Sequence, residues 1–142
     1  MNNSRISDGA LSKMIQTHPG QSWLSSEQFA RAIETLNQCA SVCTTCADAC
    51  LAEEHVHELT HCIRLNLDCA DICGTTAAVL ARPNDPDMNV LRSLLQTCQA
   101  VCQSCGSECE RHAQMHEHCR ICADVCRQCA QLCNELSQSV TA

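Results

Sequence analysis

From Phe29 onward, nonpolar side chains recur every three or four residues, and the recurrence breaks only at short polar or proline-bearing stretches. Phe29, Ala32 and Leu36 set a first register that continues through Cys39, Cys43, Cys46 and Cys50. Met88, Leu91 and Leu95 set another, which continues through Cys98, Cys102, Cys105 and Cys109. Alternating steps of three and four place such residues on one face of a helix. The pattern predicts four long helices. The first starts in "SSEQF", with Ser25 or Ser26 as its cap, and runs to about residue 54. The second spans about 56–81, and "RPNDPD", with Pro83 and Pro86, turns the chain. The third spans about 87–112 with Asp87 as cap, and the fourth about 115–138. Ahead of these, "SDGALSKMIQT" at 7–17 predicts a short helix stopped by "HPG". Helices of similar length on short connections favour antiparallel neighbours. The expected fold is all-α, an up-down-up-down antiparallel four-helix bundle (22–142) with a short N-terminal helical extension (1–21).

The seams of these helices are made of thiols. The 142 residues include 16 Cys but one Trp, one Phe and no Tyr, so sulfur sits where aromatic bulk is usual. The second helix carries Cys62, Cys69 and Cys73; the fourth carries Cys119, Cys122, Cys126, Cys129 and Cys133. Antiparallel topology brings the cysteine-bearing halves together at one end. Phe29, Ile33, Leu36, Leu80, Leu91, Leu94 and Leu95 are expected to close the other.

A cysteine content this high usually marks a secreted disulfide scaffold. Here the N-terminal stretch shows no apolar run of signal-peptide length, so the expected compartment is cytoplasmic, where thiols stay reduced. Residues four apart on a helix have Cβ atoms about 5–6 Å apart, too far for a disulfide but suited to two sulfurs holding one metal ion. A near-linear S–metal–S unit needs about 4.6 Å between sulfurs, from a bond of about 2.3 Å. The candidate pairs are Cys39–Cys43, Cys46–Cys50, Cys69–Cys73, Cys98–Cys102, Cys105–Cys109, Cys122–Cys126 and Cys129–Cys133, with Cys62 and Cys119 completing sites across helices. Soft thiolates favour Cu(I), zinc and iron–sulfur clusters. The CxxC spacings lie inside continuous helical seams without turn glycines, unlike zinc knuckles, and the ferredoxin pattern is absent. Multiple Cu(I) ions per chain fit best. A zinc or general soft-metal buffer and a thiol redox switch remain the alternatives.

Four blocks, "CASVCTTCADAC", "CIRLNLDCADIC", "CQAVCQSCGSEC" and "CRICADVCRQCAQLC", together with the linker "ERHAQMHEHC", resemble the copper storage proteins, cysteine-rich four-helix bundles of bacteria. The resemblance covers about residues 22–138 and is to the cytosolic branch. It implies storage of many Cu(I) ions and assembly as a homotetramer. The residues show no nucleophile–base–orienter set, so the expectation is a non-enzymatic store that gives copper to acceptors or copper chaperones of the cytosol. One departure is Asn66, on the seam between Cys62 and Cys69 where a further thiol would complete the layer.

Six of seven histidines fall near two turns at the thiol end: His55, His57 and His61, then His112, His116 and His118. Imidazole and thioether are weaker ligands than thiolate, as a port requires. Extending the seams places His112 and Met115 at a terminal metal site and leaves His57, His61, His116 and His118 on the rim, His61 being kept as a further candidate ligand. The net charge of −7 without a basic patch gives no nucleic-acid partner. No stretch is long and apolar enough for a membrane span.

Overall fold

The computed structural model describes residues 3–140, so the outermost residues of the two expected units, 1, 2, 141 and 142, lie outside it. Helix α1 spans Asn3–Gln16, α2 Ser26–Leu51, α3 Thr60–Leu80, α4 Met88–Arg111 and α5 Glu117–Ser139. A 3₁₀ turn, Val56–Leu59, leads into α3. Among the described residues every regular element is helical.

Local chemistry fixes where the helices begin. Ser25 Oγ accepts the Gln28 amide at 3.1 Å while Gln28 Oε1 accepts the Ser25 amide at 2.9 Å, which closes a capping box at α2. Asp87 Oδ1 accepts the amides of Asn89 and Val90 at 3.0 and 3.1 Å to cap α4. Asp85 adopts a φ of 51°, a left-handed conformation that Asp tolerates, within the proline-bearing turn before that cap.

The helices α2, α3, α4 and α5 pack in a closed ring, α2 against α3 and α5, and α4 against the same two. The α2–α3 and α4–α5 seams are the more extensive. Short connections make each successive pair antiparallel, so the expected bundle is present. Among the described residues, helix α1 packs on α2 alone, with Leu11 and Ile15 set against the core.

The core changes character along the bundle axis. At one end Leu24, Phe29, Ile33, Leu36, Leu80, Leu91, Leu95, Leu132 and Leu136 are buried. Each buried leucine of this group contributes roughly 1.5–3 kcal/mol relative to exposure. Leu94 departs from expectation: it is half-buried and lines a surface hollow with Ile72 and Val90, one position off the seam occupied by Leu91 and Leu95. Toward the other end the same faces are sulfur. Leu59, in the 3₁₀ turn, is buried at the α2–α3 connection and closes that end.

Candidate metal centre

All sixteen cysteines point into the bundle as free thiols, fifteen of them with 0% exposure and Cys46 with 2%. The helical register accounts for this, since every cysteine falls on the stripe that the neighbouring helices cover. Pairs four apart lie closer than the linear-site spacing: Cys39–Cys43 at 3.9 Å, Cys69–Cys73 at 3.8 Å and Cys122–Cys126 at 4.0 Å. Cross-helix pairs are as close. Cys43 lies 3.6 Å from Cys126 and 3.7 Å from Cys122, and Cys62 lies 3.7 Å from Cys109. Cys73 alone has four sulfur neighbours: Cys102 at 3.6 Å, Cys98 at 3.7 Å, Cys69 at 3.8 Å and Cys129 at 3.9 Å.

Three sulfurs around one ion with bonds of about 2.3 Å stand about 4.0 Å apart. The observed spacings are close to that triangle, so sulfurs of neighbouring helices stand beside the CxxxC pairs read from the sequence and add a third sulfur within reach. The ligand sets overlap accordingly. Cys39, Cys69, Cys73 and Cys102 lie within 4.8 Å of one another; so do Cys39, Cys43, Cys69 and Cys126, and also Cys43, Cys105, Cys122 and Cys126. A further set joins Cys73, Cys98, Cys102 and Cys129. A sulfur common to two sets is placed to bridge two ions.

Asn66 is the one carboxamide in this chamber and is fully buried. Its Oδ1 accepts thiols from Cys105 at 3.0 Å, Cys122 at 3.1 Å and Cys109 at 3.5 Å, while its Nδ2 donates to Cys62 at 3.6 Å. It thereby ties three helices together through four sulfurs.

Nearer the loops, Cys46, Cys50, Cys119 and His118 form another set within 4.8 Å. His118 Nδ1 lies 3.5 Å from Cys46 Sγ and 3.6 Å from Cys119 Sγ. Burial first, with the charge of Cys46 adding to it, pushes the Cys50 thiol from 9.0 up to about 11. Hydrogen bonds from Cys109, Cys119 and their neighbours hold Cys46 below the ordinary thiol range, and the bond with Cys46 raises Cys119.

The other predicted ligands at this end are placed differently. Helix α5 begins at Glu117 and the chain turns over residues 112–116, so the register that put Met115 on the seam ends before reaching it. Met115 is 80% exposed. His61 is exposed in a surface hollow with Glu108 and Arg111. His112 is half-buried, its Nε2 bonded to Glu108 Oε2 at 2.8 Å. His118, read as a rim residue, is the histidine brought to the sulfurs. Its place directly before Cys119 does not by itself mark it, since His61 stands in the same way before Cys62 at the start of α3 and is exposed.

Comparison with protein families matches residues 25–138 to one described as copper storage protein. The chain belongs to the copper storage protein family. Among solved structures, the copper storage protein of Streptomyces lividans loaded with 10 copper equivalents is 50% identical, with a TM-score of 0.86 over 91% of this chain and 98% of that one. A structure of the cytosolic copper storage protein from the same organism with five coppers is 57% identical, with a TM-score of 0.77 over 79% and 93%. The Cu(I)-bound copper storage protein BsCsp3 is 32% identical, with a TM-score of 0.69 over 78% and 98%. These likenesses span the helical copper storage fold rather than one motif.

Proposed function

We propose that this protein stores Cu(I), holding many ions per chain among the thiolates of its sixteen core cysteines. The observation that carries this reading is the overlap of the sulfur sets, in which single cysteines serve two groups within 4.8 Å. Charge favours the monovalent ion. Each bound Cu(I) that displaces one thiol proton leaves the dry core neutral, whereas a zinc ion closed by four thiolates leaves two negative charges buried. The spacings of 3.6–4.0 Å suit two- and three-sulfur sites with bridging. The family is one of storage proteins.

Ions pass through the loop end, where His118 stands between solvent and the Cys46, Cys50 and Cys119 sulfurs. His112, Met115 and His61 form the outer ring of that end. The protein works in the cytoplasm, where thiols stay reduced, in keeping with the Streptomyces lividans relative, which is described as cytosolic. Among the described residues no helix is long and apolar enough to cross a membrane. The protein assembles as a homotetramer, a reading drawn from the family resemblance, and exchanges ions with copper chaperones or acceptors, as a store must.

The test is an anaerobic titration of the reduced protein with Cu(I), with zinc in parallel. Zinc closed in separate four-thiolate sites would use sixteen sulfurs for four ions. A Cu(I) count per chain well above four supports storage. A count of four or fewer for Cu(I), or tighter retention of zinc under competition, rejects it.

A further inference from the structure

Glu53 lies two residues beyond the end of α2, its amide bonded to the Cys50 carbonyl at 3.2 Å, so its backbone is anchored to the thiol end. Its Oε2 bonds two imidazoles at once: His116 through Nδ1 and His118 through Nε2, the latter at 3.4 Å. The two rings stack, with centroids 5.4 Å apart and planes 23° from parallel. Beside them a hollow of about 270 Å³ opens between α2 and α5, lined by Val42, Thr45, Cys46, His118 and Ile121. Cys46 is also the cysteine with measurable exposure. The sulfur chamber therefore comes closest to solvent where Glu53 holds the rings.

The ring chemistry follows from the carboxylate. An ionised carboxylate only accepts hydrogen bonds, so each ring nitrogen facing Oε2 carries a proton. For His118 that proton sits on Nε2, which leaves the Nδ1 lone pair directed at Cys46 and Cys119. A carboxylate bonded to the far nitrogen of a ligating imidazole fixes both its tautomer and its orientation. We propose that Glu53 is the positioning residue of the copper transfer site, clamping His118 so that Nδ1 passes each ion to the Cys46 and Cys119 sulfurs. His116 is the second jaw of this clamp, stacked on His118 and held by the same oxygen. The proposal rests on the copper reading above. Each thiol that becomes a copper-bound thiolate releases its one proton to solvent, and no electron moves.

The experiment uses the full chain with Glu53→Ala, Glu53→Gln, His118→Ala and the double variant Glu53→Ala/His118→Ala. In reduced metal-free protein, NMR of the imidazole N–H groups reads the clamp without copper. Hydrogen-bonded ring protons on His116 Nδ1 and His118 Nε2 are expected in the natural protein and lost in Glu53→Ala. Stopped-flow uptake of Cu(I) from a chelator reads the transfer. Glu53→Ala is expected to slow uptake by about 10- to 100-fold, with the final copper count unchanged. Glu53→Gln, whose amide oxygen still accepts one ring proton, is expected to recover part of the rate. The double variant is expected to be no slower than His118→Ala alone. Absence of the ring protons in the natural protein, an unchanged rate in Glu53→Ala, or additive slowing in the double variant would overturn the proposal. Failure of the natural protein to take up Cu(I) would instead sink the storage reading, while the ring protons still judge the clamp.

Discussion

At Asn66 one buried carboxamide receives three thiols and reaches a fourth, in the seam position that would otherwise extend the Cys62, Cys69 and Cys73 series. Its oxygen is a hard donor in a soft chamber, so it organises sulfurs without competing for copper. Asn66→Cys is expected to raise the Cu(I) count per chain, measured by anaerobic titration with metal analysis. Asn66→Leu is expected to leave metal-free stability within about 1 kcal/mol, because its bonds are to weak thiol donors. An unchanged copper count in Asn66→Cys would show that this layer takes no ion. That Asn66 lies on the seam is legible from spacing; which four sulfurs its amide reaches is not, because that depends on how two other helices pack against α3. The same limit explains His118 and Met115. Linear extension of a heptad-like register assumes a continuing helix, and the turn over 112–116 ends it, turning Met115 outward while His118 in the first turn of α5 faces α2.

The boundaries of the elements follow local chemistry and were nearly all readable. Ser25 with Gln28, and Asp87 with its two amides, are short-range signals whose partners lie within three residues. The start of α3 was less so. The periodicity predicts a start at about 56, whereas Val56–Leu59 is a 3₁₀ turn and Thr60 opens the α-helix, with Leu59 buried beneath the connection. Helix α1 likewise reaches back to Asn3, beyond the 7–17 pattern. Within α3, Gly74 has nothing within 4 Å of where a Cβ would lie, so no packing demands a glycine there. Gly74→Ala is expected to stabilise the reduced metal-free protein by about 0.5–1 kcal/mol, since glycine loses more backbone entropy in a helix interior. Urea unfolding followed by circular dichroism checks this. A destabilised variant would mean that α3 bends or repacks at that position.

Across the whole molecule, the thiols are buried together, and their protonation is coupled to folding. Cys50 is the clearest case, raised from 9.0 to about 11 by burial first. The folded state therefore holds this proton more tightly than the unfolded chain does. Its stabilising contribution is fully present below about pH 9 and is lost as pH rises through about 11. Anaerobic urea midpoints of the metal-free protein are expected to hold steady up to about pH 9 and then fall toward pH 11. A rising midpoint over that window would contradict the burial account. Copper opposes this trend, because an ion bound only by the folded state adds stability by mass action.

By itself, the sequence determined the helices, their seams and the segregation of leucine from sulfur along each face, because helical periodicity is a local property of the chain. It also carried the family resemblance, since the four cysteine blocks are read in order along one strand of text. Only the tertiary structure decided which sulfurs share an ion-sized triangle, where Asn66 reaches, and which histidine meets the thiols. Those relations join residues dozens of positions apart. They depend on how four helices are rotated and staggered against one another, quantities that packing sets and periodicity leaves open.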